Sequence, residues 1–127
     1  MKYKPAIKAY EIAQKTAIKP RELERLALAK TTHKLTSAKE NFELGKSGYS
    51  KYADALKYNQ KLWTLIQSNI ADNPKSGTAT LRRSLLSLSL FIDKHTIKSL
   101  KDPNPNNLTP LIEINISVSG GLYSQNN

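Results

Sequence analysis

Residues 52–70 read YADALKYNQKLWTLIQSNI, and this stretch has the clearest helical pattern in the chain. Its apolar positions recur every three or four residues, which places them on one side of an α-helix. That side comprises Tyr52, Ala55, Leu56, Asn59, Leu62, Trp63, Ile66 and Ile70. The pattern predicts a helix over residues 49–71, in which Trp63 either anchors a core or lies under a partner, where tryptophan is enriched. The polar Asn59 on this side would need a hydrogen-bond partner if it is buried.

Turn-forming residues divide the rest of the chain into segments of helical length. Breaks fall at Pro20 and at residues 45–48, 73–77 and 102–107, all rich in Pro, Gly, Asn or Ser. The segments between them are 6–18, 20–44, 49–71, 78–100 and 109–119. We therefore predict an all-α fold, a single compact bundle of about five helices. One domain would span residues 1–127, with frayed ends at 1–5 and 123–127.

The segment before the central helix, residues 20–44, has recognisable start and stop signals. Pro20 suits the first position of a helix, where its missing N–H costs nothing, and Gly45 suits the end. The predicted apolar side consists of Leu23, Leu26, Ala27, Leu35, Ala38 and Phe42.

The segment at residues 78–100 has an unusually wide apolar face. At about 100° per residue, one stripe holds Leu81, Leu85, Leu88 and Ile92. An adjacent stripe holds Leu86, Leu90, Ile97 and Leu100. Such a helix either lies centrally between two neighbours, which we favour, or offers one stripe to a partner. In the second case Leu86, Leu90 and Ile97 would form the partner surface, flanked by Arg82 and Arg83.

The last segment fits two kinds of secondary structure. Ile112, Ile114, Ile116 and Val118 alternate as in a strand, whereas Leu111, Asn115, Val118 and Leu122 have helical spacing. A lone strand among helices would leave its backbone groups unpaired. We therefore predict a helix over residues 109–119 that ends near Gly120 and Gly121.

Composition limits where the protein works and what it binds. The 127 residues include no cysteine, which fits a reducing cytoplasm. The densest apolar run, residues 85–92, is far shorter than the roughly 20 residues of a membrane span, and we find no secretory signal. The net charge is +10, with +7 from residues 1–60. Such a surface attracts acidic proteins or nucleic acid.

Residue patterns for catalysis and for metal binding are lacking in the sequence. His33 and His95 are the only histidines, and no metal-ligand spacing or nucleophile motif is present. We expect neither an enzyme nor a cofactor nor a small-molecule substrate. RNA binding stays open, because Tyr49, Tyr52 and Tyr58 lie near lysines and could stack on bases.

Four blocks of sequence resemble the FlaF family of flagellar biosynthesis proteins. They are Ala9 and Tyr10 with IAQKTAIKPRELE (12–24), ALKYNQKLWTLIQ (55–67), LSLFIDKHT (88–96), and LTPLIEIN (108–115) followed by Gly121 and Leu122. The blocks occur in the family's order and span nearly the whole chain. Ile116 departs from the pattern, which leads us to expect Arg there.

The resemblance implies a cytoplasmic flagellar assembly factor that binds flagellin as a chaperone and promotes its synthesis or secretion. Flagellin has amphipathic terminal helices, one of which could dock in an apolar groove. The alternative is a post-transcriptional regulator acting on flagellin mRNA or through a companion regulator of the FlbT type. The candidate partner-binding residues are Trp63, Leu86, Leu90, Ile97, Leu111, Asn115, Arg82 and Arg83.

Overall fold

The computed structural model describes residues 20–43, 46–72 and 78–124, and these residues fold as an all-α bundle. The helices are α1 (Pro20–Glu40), α2 (Lys46–Asp72), α3 (Ala79–Lys101) and α4 (Leu108–Ser124), with a 3-10 helix at Pro105–Asn107 before α4. The all-α prediction is confirmed. The predicted helix at 6–18 and the predicted frayed residues 1–5 and 125–127 lie outside the described residues, whereas 123 and 124 belong to α4.

Helix α2 buries the side that its sequence pattern predicts. Its side chains Tyr52, Leu56, Leu62, Trp63 and Ile66 are all fully buried. Helix α1 packs against both α2 and α4, and α3 packs mainly against α2. Buried residues of all four helices join in one hydrophobic cluster.

Helix α1 ends four residues earlier than predicted and buries a different set of side chains. Asn41 closes the helix, because its backbone N–H and its side-chain amide both donate to the Ser37 carbonyl, at 3.0 and 2.9 Å. The prediction that Leu26 faces the core is wrong, since this side chain is 60% exposed. Leu28 and Thr31 are fully buried instead, because α1 has to contact α2 and α4 together.

Gly48 lies within the first turns of α2, where the chain folds back from α1. A side chain at this position would overlap the carbonyl oxygen of Glu43. Glycine therefore allows the connection to pass close to the helix.

Thr78 caps the N-terminus of helix α3. The hydroxyl of Thr78 accepts a hydrogen bond from the backbone N–H of Leu81 at 3.0 Å. An N-cap of this kind satisfies one of the free N–H groups in the first turn. The cap fixes the start of the helix one residue from the predicted position.

The last segment is a helix, and the strand alternative is wrong. Leu108, Leu111, Asn115 and Val118 are buried at helical spacing, whereas Ile116 is exposed. The predicted end at Gly120 and Gly121 is also wrong, because α4 continues to Ser124. Glycine lowers helix stability but does not by itself end a helix. None of the helices in the described part of the chain is apolar over a length that could cross a bilayer.

Candidate partner-binding surface

Helix α3 presents three apolar side chains that the bundle does not cover. We term Leu86, Leu90 and Ile97 the α3 stripe. Leu90 is 57% exposed, Ile97 is 51% exposed and Leu86 is half-buried. The interpretation that this helix lies centrally between two neighbours is wrong for the described residues, because α3 packs mainly against α2. The alternative, in which one stripe remains available to a partner, agrees with this exposure.

The buried side of α3 is composed largely of small polar residues. It consists of Leu85, Ser89, Ile92, Thr96 and Ser99. The Ser89 hydroxyl donates to the Gln67 side-chain oxygen on α2 at 3.2 Å, while the Thr96 hydroxyl has no hydrogen-bond partner among the described residues. Helix α3 is therefore attached through Leu85, Ile92 and three small polar residues. Leu90 and Ile97 take no part in this contact and remain exposed.

Three of the predicted partner residues lie inside the bundle. Trp63, Leu111 and Asn115 are fully buried, so they form no part of the outer surface of the described bundle. Their place in the partner set is therefore corrected. A tryptophan has the largest apolar area to bury, and here the meeting of α1, α2 and α4 supplies the pocket for it.

A buried hydrogen-bond network explains why polar residues occur at this meeting point. The Trp63 indole N–H donates to the Asn115 oxygen at 2.9 Å, and the Asn115 amide donates to the Asn59 oxygen at 2.8 Å. The Thr31 hydroxyl donates to the same Asn59 oxygen at 3.0 Å. We term Thr31, Asn59, Trp63 and Asn115 the central junction. It joins three helices and meets the expectation that buried Asn59 has a partner, although its amide donor has none among the described residues.

The two predicted arginines lie at the beginning of the α3 stripe. Arg82 is half-buried and Arg83 is exposed, and they precede Leu86 by about one turn. The Arg83 Nε also donates to the Ala79 carbonyl at 3.4 Å. Both side chains therefore flank the stripe, as the sequence predicts.

Sequence reasoning missed three further exposed apolar residues. Phe91 is 44% exposed and stacks on the His95 ring with 5.3 Å between centroids. It falls in neither of the two stripes identified from the sequence, so the pattern gave no reason to select it. Leu26 on α1 and Ile116 on α4 are 60% and 59% exposed, but they lie on helices other than α3.

A match to a known family covers most of the chain. The profile of the family described as "Flagellar protein FlaF" matches residues 6–122. The chain belongs to the FlaF family. No curated protein and no solved structure shows significant similarity to the chain. The match confirms the resemblance carried by the four sequence blocks.

In this FlaF-family chain, two of the three tyrosines considered for RNA stacking are unsuited to that role. Tyr52 and Tyr58 are buried, whereas Tyr49 is exposed. The Lys34 ammonium group lies 4.9 Å from the centroid of the Tyr58 ring, and burial raises the pKa of Tyr58. Of these three tyrosines, only Tyr49 has an exposed ring that a base could stack on.

The histidines of this FlaF-family chain are separate from each other. His95 Nε2 lies 2.7 Å from the Asn107 carbonyl, where it fixes the connection between α3 and α4. His33 borders an open cavity of about 230 Å³ between α1 and α2, together with Lys34, Lys51 and Asp54. Over residues 20–43, 46–72 and 78–124, no three potential metal ligands cluster together.

Proposed function

We propose that this FlaF-family protein binds flagellin as a cytoplasmic chaperone and promotes its synthesis or secretion. The observation that carries the proposal is the exposed α3 stripe on a member of a flagellar family. Leu90 and Ile97 are mostly in water, although a helix of an isolated bundle usually turns such side chains inward. A partner that covers them would remove this unfavourable exposure.

The shape of the surface supports a helical ligand. Leu86, Leu90 and Ile97 occupy positions i, i+4 and i+11, which follow one line along a helix. Their span is about 16 Å at 1.5 Å per residue, or three turns of a ligand helix. Amphipathic helices bind such surfaces through apolar residues at matching spacing. A terminal helix of flagellin has this character, and covering it would prevent early filament assembly.

Co-purification tests the proposal directly. The full chain is mixed with intact flagellin and with flagellin that lacks its terminal helices, and complexes are isolated by size exclusion. We expect a one-to-one complex with intact flagellin and none with the truncated form. Equal binding of both forms would rule out docking of a terminal helix, and no binding of either would rule out the chaperone role.

The alternative, regulation through flagellin mRNA or a companion regulator, rests on weaker support. The charge of +10 favours RNA binding, but the burial of Tyr52 and Tyr58 removes most of the predicted stacking surface. Titration of flagellin leader RNA against a scrambled RNA separates the two roles. A sequence-dependent affinity that falls steeply with salt would favour the alternative.

A further inference from the structure

The exposed charged residues of α3 around the stripe are all positive. Arg83, Lys94 and Lys101 are exposed, and at 100° per residue all three lie on the same side of the stripe, within about 80° of Leu86. The single carboxylate within α3 is that of Asp93, and it is turned toward the Gln60 amide of α2, 3.5 Å away. Any molecule that covers Leu90 and Ile97 therefore meets several cations and no exposed carboxylate from α3 itself.

Charge discriminates among the molecules that could cover this surface. Residues 1–19 of the same chain contain five lysines and one glutamate, so they would add positive charge to positive charge. A second copy of the chain also carries a net charge of +10, and pairing two α3 faces would bring their lysines together. Like charges brought together at an interface oppose binding. Both occupants are disfavoured by the same electrostatic repulsion.

We propose that the occupant is an amphipathic helix whose apolar face is bordered by acidic residues on the side that meets Arg83, Lys94 and Lys101. This inference rests on the proposed function, because flagellin would supply the helix. The apolar residues of the ligand would cover Leu86, Leu90 and Ile97 and determine how long it stays bound. Its carboxylates would face Arg83, Lys94 and Lys101, where they raise the association rate and exclude basic helices.

Synthetic peptides test the chemistry of the ligand. Three peptides share one apolar face of three turns and differ in the flanking residues, which are Glu, Gln or Lys. Fluorescence anisotropy with the full chain measures each affinity. Because several exposed ion pairs add modestly, we expect the Glu peptide to bind about tenfold more tightly than the Lys peptide at low salt. We expect raised salt to narrow the difference.

Charge reversal on the protein shows whether the effect arises at α3. The variant Lys94→Glu/Lys101→Glu should have a lower affinity for the Glu peptide and a higher affinity for the Lys peptide than the wild type. The control Lys30→Glu/Lys61→Glu changes the net charge equally at exposed positions on α1 and α2. It should keep the original preference, and circular dichroism verifies that both variants are folded.

Several results would overturn the proposed acidic amphipathic ligand. Equal affinity for all three peptides, failure of the Glu peptide to bind, or the same change in both double variants would overturn the proposal. So would a dimer of the chain that Leu90→Ser dissociates, because a second copy would then be the occupant. If the chain binds flagellin but has equal affinity for the three peptides, this inference alone is overturned and the proposed function stands. Selective binding of the Glu peptide without flagellin binding would overturn only the identity of the partner.

Discussion

The central junction buries three polar residues and a tryptophan, whereas the α3 stripe leaves aliphatic residues exposed. At the junction, Trp63 and Asn115 are fully buried and hydrogen-bonded, and they align three helices. In the stripe, Leu90 and Ile97 face water on a helix whose other side is buried in the bundle. The two regions share no residue, so mutations can test the stability of the bundle and the proposed partner binding separately.

The largest expected effect comes from removing the aromatic side chain of the junction. Trp63→Ala should lower the free energy of unfolding by about 3–5 kcal/mol, because it leaves a cavity in the core. Denaturant unfolding followed by circular dichroism measures the change. The matched control is Phe91→Ala on α3, an exposed aromatic for which we expect a change within about 0.5 kcal/mol. Similar losses in the two variants would contradict the division between the regions.

Removing a hydrogen bond from the junction should lower the free energy of unfolding less than removing its aromatic side chain. Asn115→Ala leaves the buried Trp63 indole N–H without its acceptor, and we expect a loss of about 1–3 kcal/mol. Asn106→Ala is the control, because Asn106 is exposed. If Asn115→Ala is as stable as Asn106→Ala, the hydrogen-bond network contributes nothing to the stability of the bundle.

The hydrogen bonds that join α2 to the C-terminal end of α3 can be removed by a single substitution. The Tyr52 hydroxyl donates to the Ser99 carbonyl at 2.7 Å and accepts from the Asn107 amide at 3.0 Å. Tyr52→Phe should cost about 1–2 kcal/mol, since Asn107 keeps its bond to the Asp102 carbonyl. Hydrogen exchange should accelerate at residues 99–107. Unchanged exchange there would show that α3 is held by other contacts.

The smallest expected effect is a loss of stability at high pH. Its source is Tyr58 of α2, whose ring lies next to Lys34 of α1. Burial raises the pKa of Tyr58 above its ordinary value of 10.0, so the folded chain holds the phenol proton more tightly than the unfolded chain. This contribution is complete below pH 10.0 and is lost as the pH rises through the folded-state pKa. Urea unfolding of the wild type and of Tyr58→Phe across this range measures it. Identical pH profiles would contradict the assignment.

Local sequence signals predicted the helices well where periodicity was strong. Every residue of the predicted apolar side of α2 is buried or packs against the core, although Ala53 and Tyr58, outside that side, are buried as well. The boundaries of α1 and α4 were less accurate. The end of α1 depends on the Asn41 amide reaching Ser37, and α4 continues past Gly120, which has open space around it. The spacing of apolar residues reveals neither the Asn41 hydrogen bond nor the open space around Gly120.

The candidate surface was predictable only in part. Leu90 and Ile97 were selected because two apolar stripes exceed what one neighbouring helix can cover. Their exposure could be established only from the packing of α3 against α2. Trp63 and Asn115 were misassigned to a partner surface, because sequence spacing does not distinguish a core shared by three helices from an interface with another protein.

The most direct test of the account compares two pairs of exposed apolar residues for flagellin binding. Leu90→Ser/Ile97→Ser alters the α3 stripe, and Leu26→Ser/Ile116→Ser removes the same residue types, similarly exposed, from α1 and α4. Affinity for intact flagellin is measured by calorimetry, with circular dichroism to verify folding. We expect the stripe variant to lose at least about tenfold in affinity, more than 1.4 kcal/mol, while the control binds like the wild type. Equal affinities of the two variants would contradict the assignment of α3 as the binding surface.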